Sequence, residues 1–499
     1  MKYVIGVDLG TSAVKTLLVN QEGAVVDEVS KSYPLIQEIS GYSEQEPEEW
    51  VEKTTEAIAE LVRNFRGQVS DIEGISFSGQ MHGLVVLDKN RNVLRNAILW
   101  NDTRTTEQCR QIYDIVGKEK LLGITKNVAL EGFTLPKILW VKQYEPEIFE
   151  KIDVILLPKD YLRYRMTGQI HMDYSDAAGT LLLDISKKEW SSELCRLLEI
   201  DPAILPPLVE SGDFVGNITK EFAEKTGLSV GTKVFAGGAD NACGAIGAGI
   251  LSSGKTLASI GTSGVVLSYE ETKDRDFQGK VHYFNHGKEN AYYTMGVTLA
   301  AGYSLSWFKD TFANGESFDD FVSGIEEVPP GANGLLFAPY IVGERTPYPD
   351  ADIRGSFIGA DSKHTRAHFV RAVMEGITFS LNESIKIFRD AGKTIDTIVS
   401  IGGGAKNETW LQIQADVFNA KIIKLASEQG PGMGAAMLAA CGCGWFSSLD
   451  ECAEQFLQEA TVYTPNPDQV KTYQELFGIY QEIYQNTREM NQRLKKFRG

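Results

Sequence analysis

The sequence predicts an α/β protein of two related domains, each a mixed sheet with helical cover. A repeated corner and the chain length predict it. A run that reads as a buried strand, Tyr3-Val4-Ile5-Gly6-Val7, ends in Asp8-Leu9-Gly10-Thr11-Ser12, and a second apolar run follows from Val14 to Val19. Halfway along, the device returns as Ala258-Ser259-Ile260, then Gly261-Thr262-Ser263-Gly264, then Val265-Val266-Leu267. The chain has 499 residues, more than one ordinary core holds.

The first domain opens with three strands within residues 3–31, the last from Ala24 to Ser30. Pro47-Glu48-Glu49-Trp50 opens a helix, because proline suits the first turn and acids suit the positive end of the dipole. Ile72 to Ser78 reads as a fourth strand, stopped by Gly79. Asp201-Pro202 to Pro206-Pro207 reads as a loop, and Asn241 to Ala248 as a helix. A second strand series then begins, so the domains are expected to divide into residues 1–246 and 247–499. That series runs from Lys255 to Ser268 and from Ala291 to Gly296. A long amphipathic helix follows from Arg366 to about Asp390, then a strand from Thr397 to Ile401, the crest Gly402-Gly403-Gly404 and a helix from Asn407 to Asn419. The C-terminal stretch, rich in Tyr, Gln, Glu and Lys, reads as a terminal helix. Gly237-Gly238 lies where the halves meet and is expected to serve as a hinge.

A tight Gly-Thr-Ser corner leaves consecutive backbone N–H groups and hydroxyls pointing at one spot, which suits phosphate oxygens. One corner alone is most often a plain strand-end turn. Two, one in each half, predict two domains gripping one nucleotide. Asp8 begins the first corner, and Asp240 follows Gly237-Gly238-Ala239 ahead of the second. Two carboxylates beside two phosphate turns meet the needs of a metal-assisted phosphoryl transfer.

A sharper-looking motif is set aside. Gly249-Ile250-Leu251-Ser252-Ser253-Gly254-Lys255-Thr256 spells a Walker A motif letter for letter. That motif works between a strand and a helix, since the helix N-terminus completes the cradle. Here a helix precedes and a strand follows, so a helix-to-strand turn is expected.

Other turns carry weaker signals. Gly402-Gly403-Gly404 lets a backbone approach a flat ligand, with Asn407 placed to bond a base or ribose; an ordinary strand–helix turn reads equally well. Gly430-Pro431-Gly432-Met433-Gly434 suits helix packing more than ligand contact. In Ser78-Gly79-Gln80-Met81-His82-Gly83 the histidine sits in a polar turn and can bond sugar hydroxyls; a structural histidine is the bland alternative. Trp100-Asn101-Asp102-Thr103-Arg104 mixes an aromatic wall with polar groups, which suits a polyol or a capped helix start at Asp102 or Thr103.

Composition narrows the class. Apolar residues at 43% and charged residues at 23% are ordinary globular values. A net charge of −18 argues against nucleic acid as the main partner but not against ATP held by backbone groups and a metal. The six cysteines are scattered, so neither a disulfide framework nor a zinc site is expected, and Cys441 and Cys443 read as facing a helix of small residues. No signal peptide or membrane span is apparent, and the cytoplasm is the expected compartment.

Together these residues resemble the FGGY carbohydrate kinases along nearly the whole chain. Gly132-Phe-Thr-Leu-Pro-Lys137-Ile-Leu-Trp140 is similar to the family's first signature. Gly355-Ser-Phe-Ile-Gly359, continuing to His368-Phe-Val-Arg-Ala-Val-Met-Glu375, is similar to its second. Pro158-Lys-Asp-Tyr-Leu162, Met166-Thr-Gly168, Ser175-Asp-Ala-Ala-Gly-Thr180 and Gly343-Glu-Arg-Thr-Pro347 resemble members that act on D-xylulose. Glycerol-specific members carry Arg-Glu where this chain has Met81-His82, which favours a ketopentose.

The resemblance implies two actin/hexokinase-like (ribonuclease H-like) domains with an active site in the cleft between them. It implies ATP-dependent phosphorylation of D-xylulose at its 5-hydroxyl. Asp240 would be the general base, with Asp8 and Asp240 holding Mg2+ through water. Met81, His82, Asp240 and Asn241 would touch the sugar, and Trp100 would wall it. Thr11, Ser12, Lys15, Gly261 and Thr262 would face phosphates; Gly302, Ser306, Gly404 and Asn407 would lie near adenosine. The partners implied are the sugar and ATP, with a homodimer compatible. The rival readings are a kinase for ribulose, gluconate or glycerol, and an actin- or Hsp70-like nucleotide switch.

Overall fold

The computed structural model describes residues 1–498. Two seven-stranded mixed sheets carry the chain. The first contains β1 (Tyr3–Leu9), β2 (Ala13–Asn20), β3 (Val25–Ser32), β4 (Ile72–Gly79), β5 (Phe214–Asn217), β6 (Lys233–Phe235) and β7 (Gly238–Ala239). Its order is β5-β6-β4-β1-β2-β3, with β7 also paired to β4. The second contains β8 (Gly254–Ile260), β9 (Gly264–Glu270), β10 (His282–Asn285), β11 (Tyr292–Thr298), β12 (Ile395–Gly402), β13 (Lys421–Leu425) and β14 (Glu459–Tyr463), in the order β10-β11-β9-β8-β12-β13-β14.

The two sheets repeat one pattern. β1-β2-β3 is an antiparallel meander with β4 parallel to β1. β8-β9-β11 is likewise antiparallel, with β12 parallel to β8. Beyond β4 and β12 come a parallel strand and an antiparallel edge strand in both sheets. The edge strand precedes its neighbour in the first sheet and follows it in the second. β10 is the extra strand.

β1 is buried on both faces, so alternate residues serve different helices. Ile5, Val7 and Leu9 join a cluster with Trp50, Ala57, Ile58 and Leu61 of α1 (Pro47–Asn64). Each fully buried aliphatic side chain there contributes roughly 1.5–3 kcal/mol. Val4 points the other way and joins Met433, Ala436 and Met437. These belong to a helix far along the chain, Gly430–Gly442, so a segment of the second half covers the first sheet. The approach is close: a Cβ on Gly6 would lie 2.1 Å from the carbonyl oxygen of Gly432. The glycines of residues 430–434 thus serve packing, as expected.

Most elements fall where the sequence places them, including the helices Arg366–Asp390 and Pro467–Leu494. Asp240–Gly247 is a helix and Gly254–Ile260 a strand, the reversed context that set the Walker A spelling aside. No helix starts at Asp102 or Thr103; the next one begins at Thr106. The hinge expectation is corrected. Gly238 pairs with Ser78 in the first sheet, and the Gly237 N–H donates to Ser211 O at 2.9 Å. Gly237 has φ +77°, and a Cβ there would lie 2.3 Å from Phe77 O, so glycine is required by close approach to β4 rather than by motion. Among the described residues no helix is long and apolar enough to cross a membrane.

Candidate active site

The two corners are equivalent joints between first and second strands. In the first, the Gly10 N–H donates to Ala13 O at 3.0 Å. Gln45 supports it from behind: its Nε2 donates to Thr11 O at 2.6 Å, and its Oε1 accepts from Trp50 Nε1 at 2.9 Å. Ser12 is exposed at the tip. Asp8, next to last in β1, pairs opposite Lys15, whose Nζ lies 3.1 Å from Glu28 and 2.9 Å from Gln429 Oε1. Lys15 therefore also ties the corner to the turn before the Gly430–Gly442 helix.

The second corner is clasped by α2 (Gly302–Phe312). The Gly302 N–H donates to Gly261 O at 2.8 Å, and the Ala301 and Tyr303 N–H groups donate to Thr262 O at 3.1 Å each. Beside it lies a cavity of about 230 Å³, lined by Gly261, Thr262, Gly302, Tyr303, Ser306, Phe318, Gly404 and Trp410. Glycine floors and aromatic walls suit a flat ring system. Asn407 departs from its expected place. It does not line this cavity; its Oδ1 caps the Glu408–Phe418 helix by accepting from the Trp410 N–H at 2.9 Å. Lys255 lines a separate cavity with Asp450, Glu454 and Glu459.

A further cavity of about 250 Å³ draws on both halves of the chain. The first half supplies Met81, His82, Trp100, Phe133, Asp240 and Asn241; the second supplies Ser263, His282 and Arg345. Asp240 is the first residue of its helix, where the dipole favours an acid. Its Oδ1 accepts from the Asn241 N–H at 2.6 Å and from Asn241 Nδ2 at 3.0 Å. Burial, and then the charge of Asp8, push its carboxyl up to about 7. Asn241 Nδ2 also reaches Met81 Sδ at 3.5 Å.

His82 has φ +67° and places Nδ1 2.6 Å from Gly179 O. A carbonyl only accepts, so Nδ1 carries the proton and Nε2 is left as an acceptor. Burial, then Lys137, hold the ring neutral, pushed down to about 3. Lys137 is fully buried and clamps this wall, donating to His82 O at 2.9 Å and Gly132 O at 2.7 Å. Burial lowers its ammonium to about 7. Burial and Arg345 likewise keep His282 neutral, at about 3. The Arg345 loop is set by Glu344, which accepts from Thr298 Oγ1 at 2.5 Å and from the Leu299 and Arg345 N–H groups at 3.1 and 2.8 Å.

The structure thus brings Met81, His82, Trp100, Asp240 and Asn241 to one cavity, and Gly261, Thr262, Gly302, Ser306 and Gly404 to another. Thr11, Ser12 and Lys15 stay on the first corner, which meets the larger cavity through Trp100 and Thr11. Phe133, Ser263, His282 and Arg345 were not anticipated as lining residues. Phe133 and Arg345 stand inside the segments Gly132–Trp140 and Gly343–Pro347, so a signal was present for them. Gln45 carried none.

Residues 3–247 match the N-terminal domain, and residues 256–443 the C-terminal domain, of the FGGY family of carbohydrate kinases. The chain belongs to this family. It is 66% identical over 498 residues to the xylulose kinase of Bacillus subtilis (strain 168), covering all of both chains. Among solved FGGY structures it is similar to ligand-bound xylulose kinase from Lactobacillus acidophilus, with TM-score 0.92, 30% identity and 98% of each chain covered. Gluconate kinase from Lactobacillus acidophilus superposes as well, with TM-score 0.92, 31% identity and coverage of 97% and 98%. The protein is an FGGY sugar kinase of two α/β domains, with ATP as a substrate.

Proposed function

We propose that this kinase transfers the γ-phosphoryl group of ATP to the 5-hydroxyl of D-xylulose, giving D-xylulose 5-phosphate. The observation that carries the reading is that Asp240 and Ser263 of the second phosphate corner border one cavity. An acid for the hydroxyl and a phosphate turn for the donor thereby face the same space. The fold alone does not choose the sugar, since gluconate kinase is equally similar in shape. The full-length identity to a xylulose kinase supports the ketopentose.

Asp240 orients the acceptor hydroxyl and takes its proton late, since positioning and charge carry most of such a reaction. His82 Nε2 accepts from a sugar hydroxyl, Met81 packs against carbon, Asn241 bonds a further hydroxyl, and Trp100 walls the site. Thr11, Ser12, Lys15, Gly261 and Thr262 face the phosphates. Gly302, Ser306 and Gly404 lie against adenosine, with Asn407 supporting that wall only as a cap. Asp8 and Asp240 fit a hydrated magnesium ion. They are near enough for the charge of Asp8 to raise Asp240, and neither forms an ion pair with a lysine or arginine among the described residues. When bound, the ion supplies neutralisation of phosphate charge. We take residues 1–246 and 247–499 as the two domains, with Gly430–Gly442 returning to the first, and place the reaction in the cytoplasm, where ATP is made available.

The test is a coupled ADP-release assay with D-xylulose, D-ribulose, gluconate and glycerol. D-Xylulose should show the highest kcat/KM. Equal efficiency with gluconate or glycerol would overturn the choice of sugar, and turnover of ATP indifferent to every sugar would overturn the kinase role of the cavity.

A further inference from the structure

Next to the cavity that Asp240 and His82 border lies an ion cluster that the reading above leaves without a task. Lys159 Nζ lies 2.8 Å from Asp160, 2.6 Å from Asp173 and 2.7 Å from Asp176. Arg163 approaches Asp160 at 3.1 Å. All five side chains are fully buried. Burying charges costs several kcal/mol per ion unless each is paired. Asp176 is pushed well above the usual carboxylate range by burial and by the neighbouring Asp173 and Asp160, against the pull of Lys159. Two basic side chains thus stand among three carboxyl groups. The three acids converge closely enough to hold a metal ion, but the Lys159 ammonium contacts all three.

Two threads leave this cluster. In the first, Asp173 Oδ2 accepts from Ser175 Oγ at 2.5 Å and from Ser211 Oγ at 2.9 Å. Ser175 Oγ in turn accepts from the Ala239 N–H at 2.9 Å, and Ala239 is the residue before Asp240. Arg163 holds the segment just before β7 by donating to Ala236 O at 2.6 Å. In the second, Asp176 lies on the short helix Tyr174–Ala178, and the Gly179 N–H closes that helix by donating to Asp176 O at 2.9 Å. Gly179 O then accepts from His82 Nδ1.

We propose that the Lys159-centred cluster is a positioning device that fixes Asp240 and His82 relative to each other through Ser175 and Gly179. Lys159, Asp173 and Ser175 are positioning residues, not catalytic ones. The inference rests on the roles assigned to Asp240 and His82 above. Catalytic groups need placement to within about 0.5 Å, and buried ion pairs together with the Asp173–Ser175–Ala239 hydrogen bonds supply that rigidity. A single rigid unit would hold the base and the sugar-reading ring at a constant separation while the other domain moves.

The test compares Ser175→Ala with Ser211→Ala. Each removes one hydroxyl donor from Asp173, but only Ser175 contacts the Ala239 N–H. A merely structural role for the cluster predicts similar effects from both. The proposal predicts that Ser175→Ala lowers kcat by about tenfold or more, leaves the KM for ATP unchanged and keeps the melting temperature close to that of Ser211→Ala, which itself stays within about twofold of wild-type kcat. It also predicts that amide exchange across residues 237–241 accelerates about tenfold in Ser175→Ala with no sugar or nucleotide present. Equal kcat in the two variants, or unchanged exchange at 237–241, would overturn it. A wild type inactive on D-xylulose would count against the substrate reading alone, because the exchange measurement needs no substrate and the kinetic one can use any accepted sugar.

Discussion

Trp100 Nε1 donates to Thr11 Oγ1 over 2.9 Å, although 89 residues separate them. The bond joins the wall of the cavity that Asp240 and His82 border to the first Gly-Thr-Ser corner. Trp100 is 44% exposed, so packing alone does not hold it in place. On the roles proposed for Trp100 and Thr11, one hydrogen bond therefore couples the sugar site to the phosphate site. Trp100→Phe keeps the aromatic wall and removes the donor. The KM values for D-xylulose and for ATP should both rise, by about two- to tenfold, as expected for a net hydrogen bond of about 0.5–1.5 kcal/mol. A change in the sugar KM alone would mean that Thr11 needs no support from the indole.

Asp240→Asn keeps the shape and the helix start but removes the proton acceptor. Turnover should fall by about 10²-fold or more, with ATP binding retained. Steady-state ADP release and nucleotide titration read the two halves of this statement. Turnover near that of the wild type would remove Asp240 from the role assigned to it.

Lys255→Ala should keep most of the activity. Lys255 sits in a strand at a separate cavity, among Asp450, Glu454 and Glu459, and its ammonium does not border either substrate cavity. A loss of ATP affinity without loss of fold would show that the Walker A spelling acts despite its reversed context.

This contrast shows what was legible in the sequence. Strand-turn-strand corners are local, so β1-β2 and β8-β9 could be read from apolar runs and a Gly-Thr-Ser joint. The acids beside them were legible for the same reason. What long-range packing decides was not. The crossing of Gly430–Gly442 onto the first sheet depends on the close approach of Gly432 to Gly6, which no local pattern announces. His282 reaches the cavity from β10 and Arg345 from a loop of the second half, and only the fold brings them beside His82. Gln45 supports Thr11 across 34 residues and looks like any polar residue in the sequence. Asn407 and Gly237 show the converse, since a plausible local chemistry was overridden by a helix cap and by close approach to Phe77.

Acid should weaken the protein through His282, a half-buried histidine held neutral by desolvation and by Arg345. His282 is pushed down to about 3 from an ordinary value of 6.5. Between these values the unfolded chain binds a proton that the native state does not. The contribution of His282 to stability is therefore complete above about pH 6.5 and is lost as pH falls, by up to about 1.4 kcal/mol per pH unit. His282→Gln lacks this dependence. Urea unfolding at pH 7.5, 6 and 5 should show the wild type losing more stability than the variant on acidification. Parallel pH profiles would mean that His282 is solvated or paired in the native state.

The larger cavity is shared between Asp240 and His82 on one side and Ser263, His282 and Arg345 on the other, so a sugar bound there contacts both halves. Bridging contacts favour approach of the halves, and approach excludes water that would otherwise accept the phosphoryl group. Gly238 pairs into the first sheet and Gly237 is bonded to Ser211, so bending is expected where the chain passes between the halves, in residues 248–253, 426–429 and 457–458. Small-angle scattering should show a smaller radius of gyration with D-xylulose and nucleotide together than with neither. Hydrogen exchange should slow at 248–253, 426–429 and 457–458 but change little at 237–238. A constant radius of gyration together with sugar-independent exchange would mean that the site is rigid and preformed. In that case suppression of wasteful ATP hydrolysis would have to come from the placement of Asp240 alone.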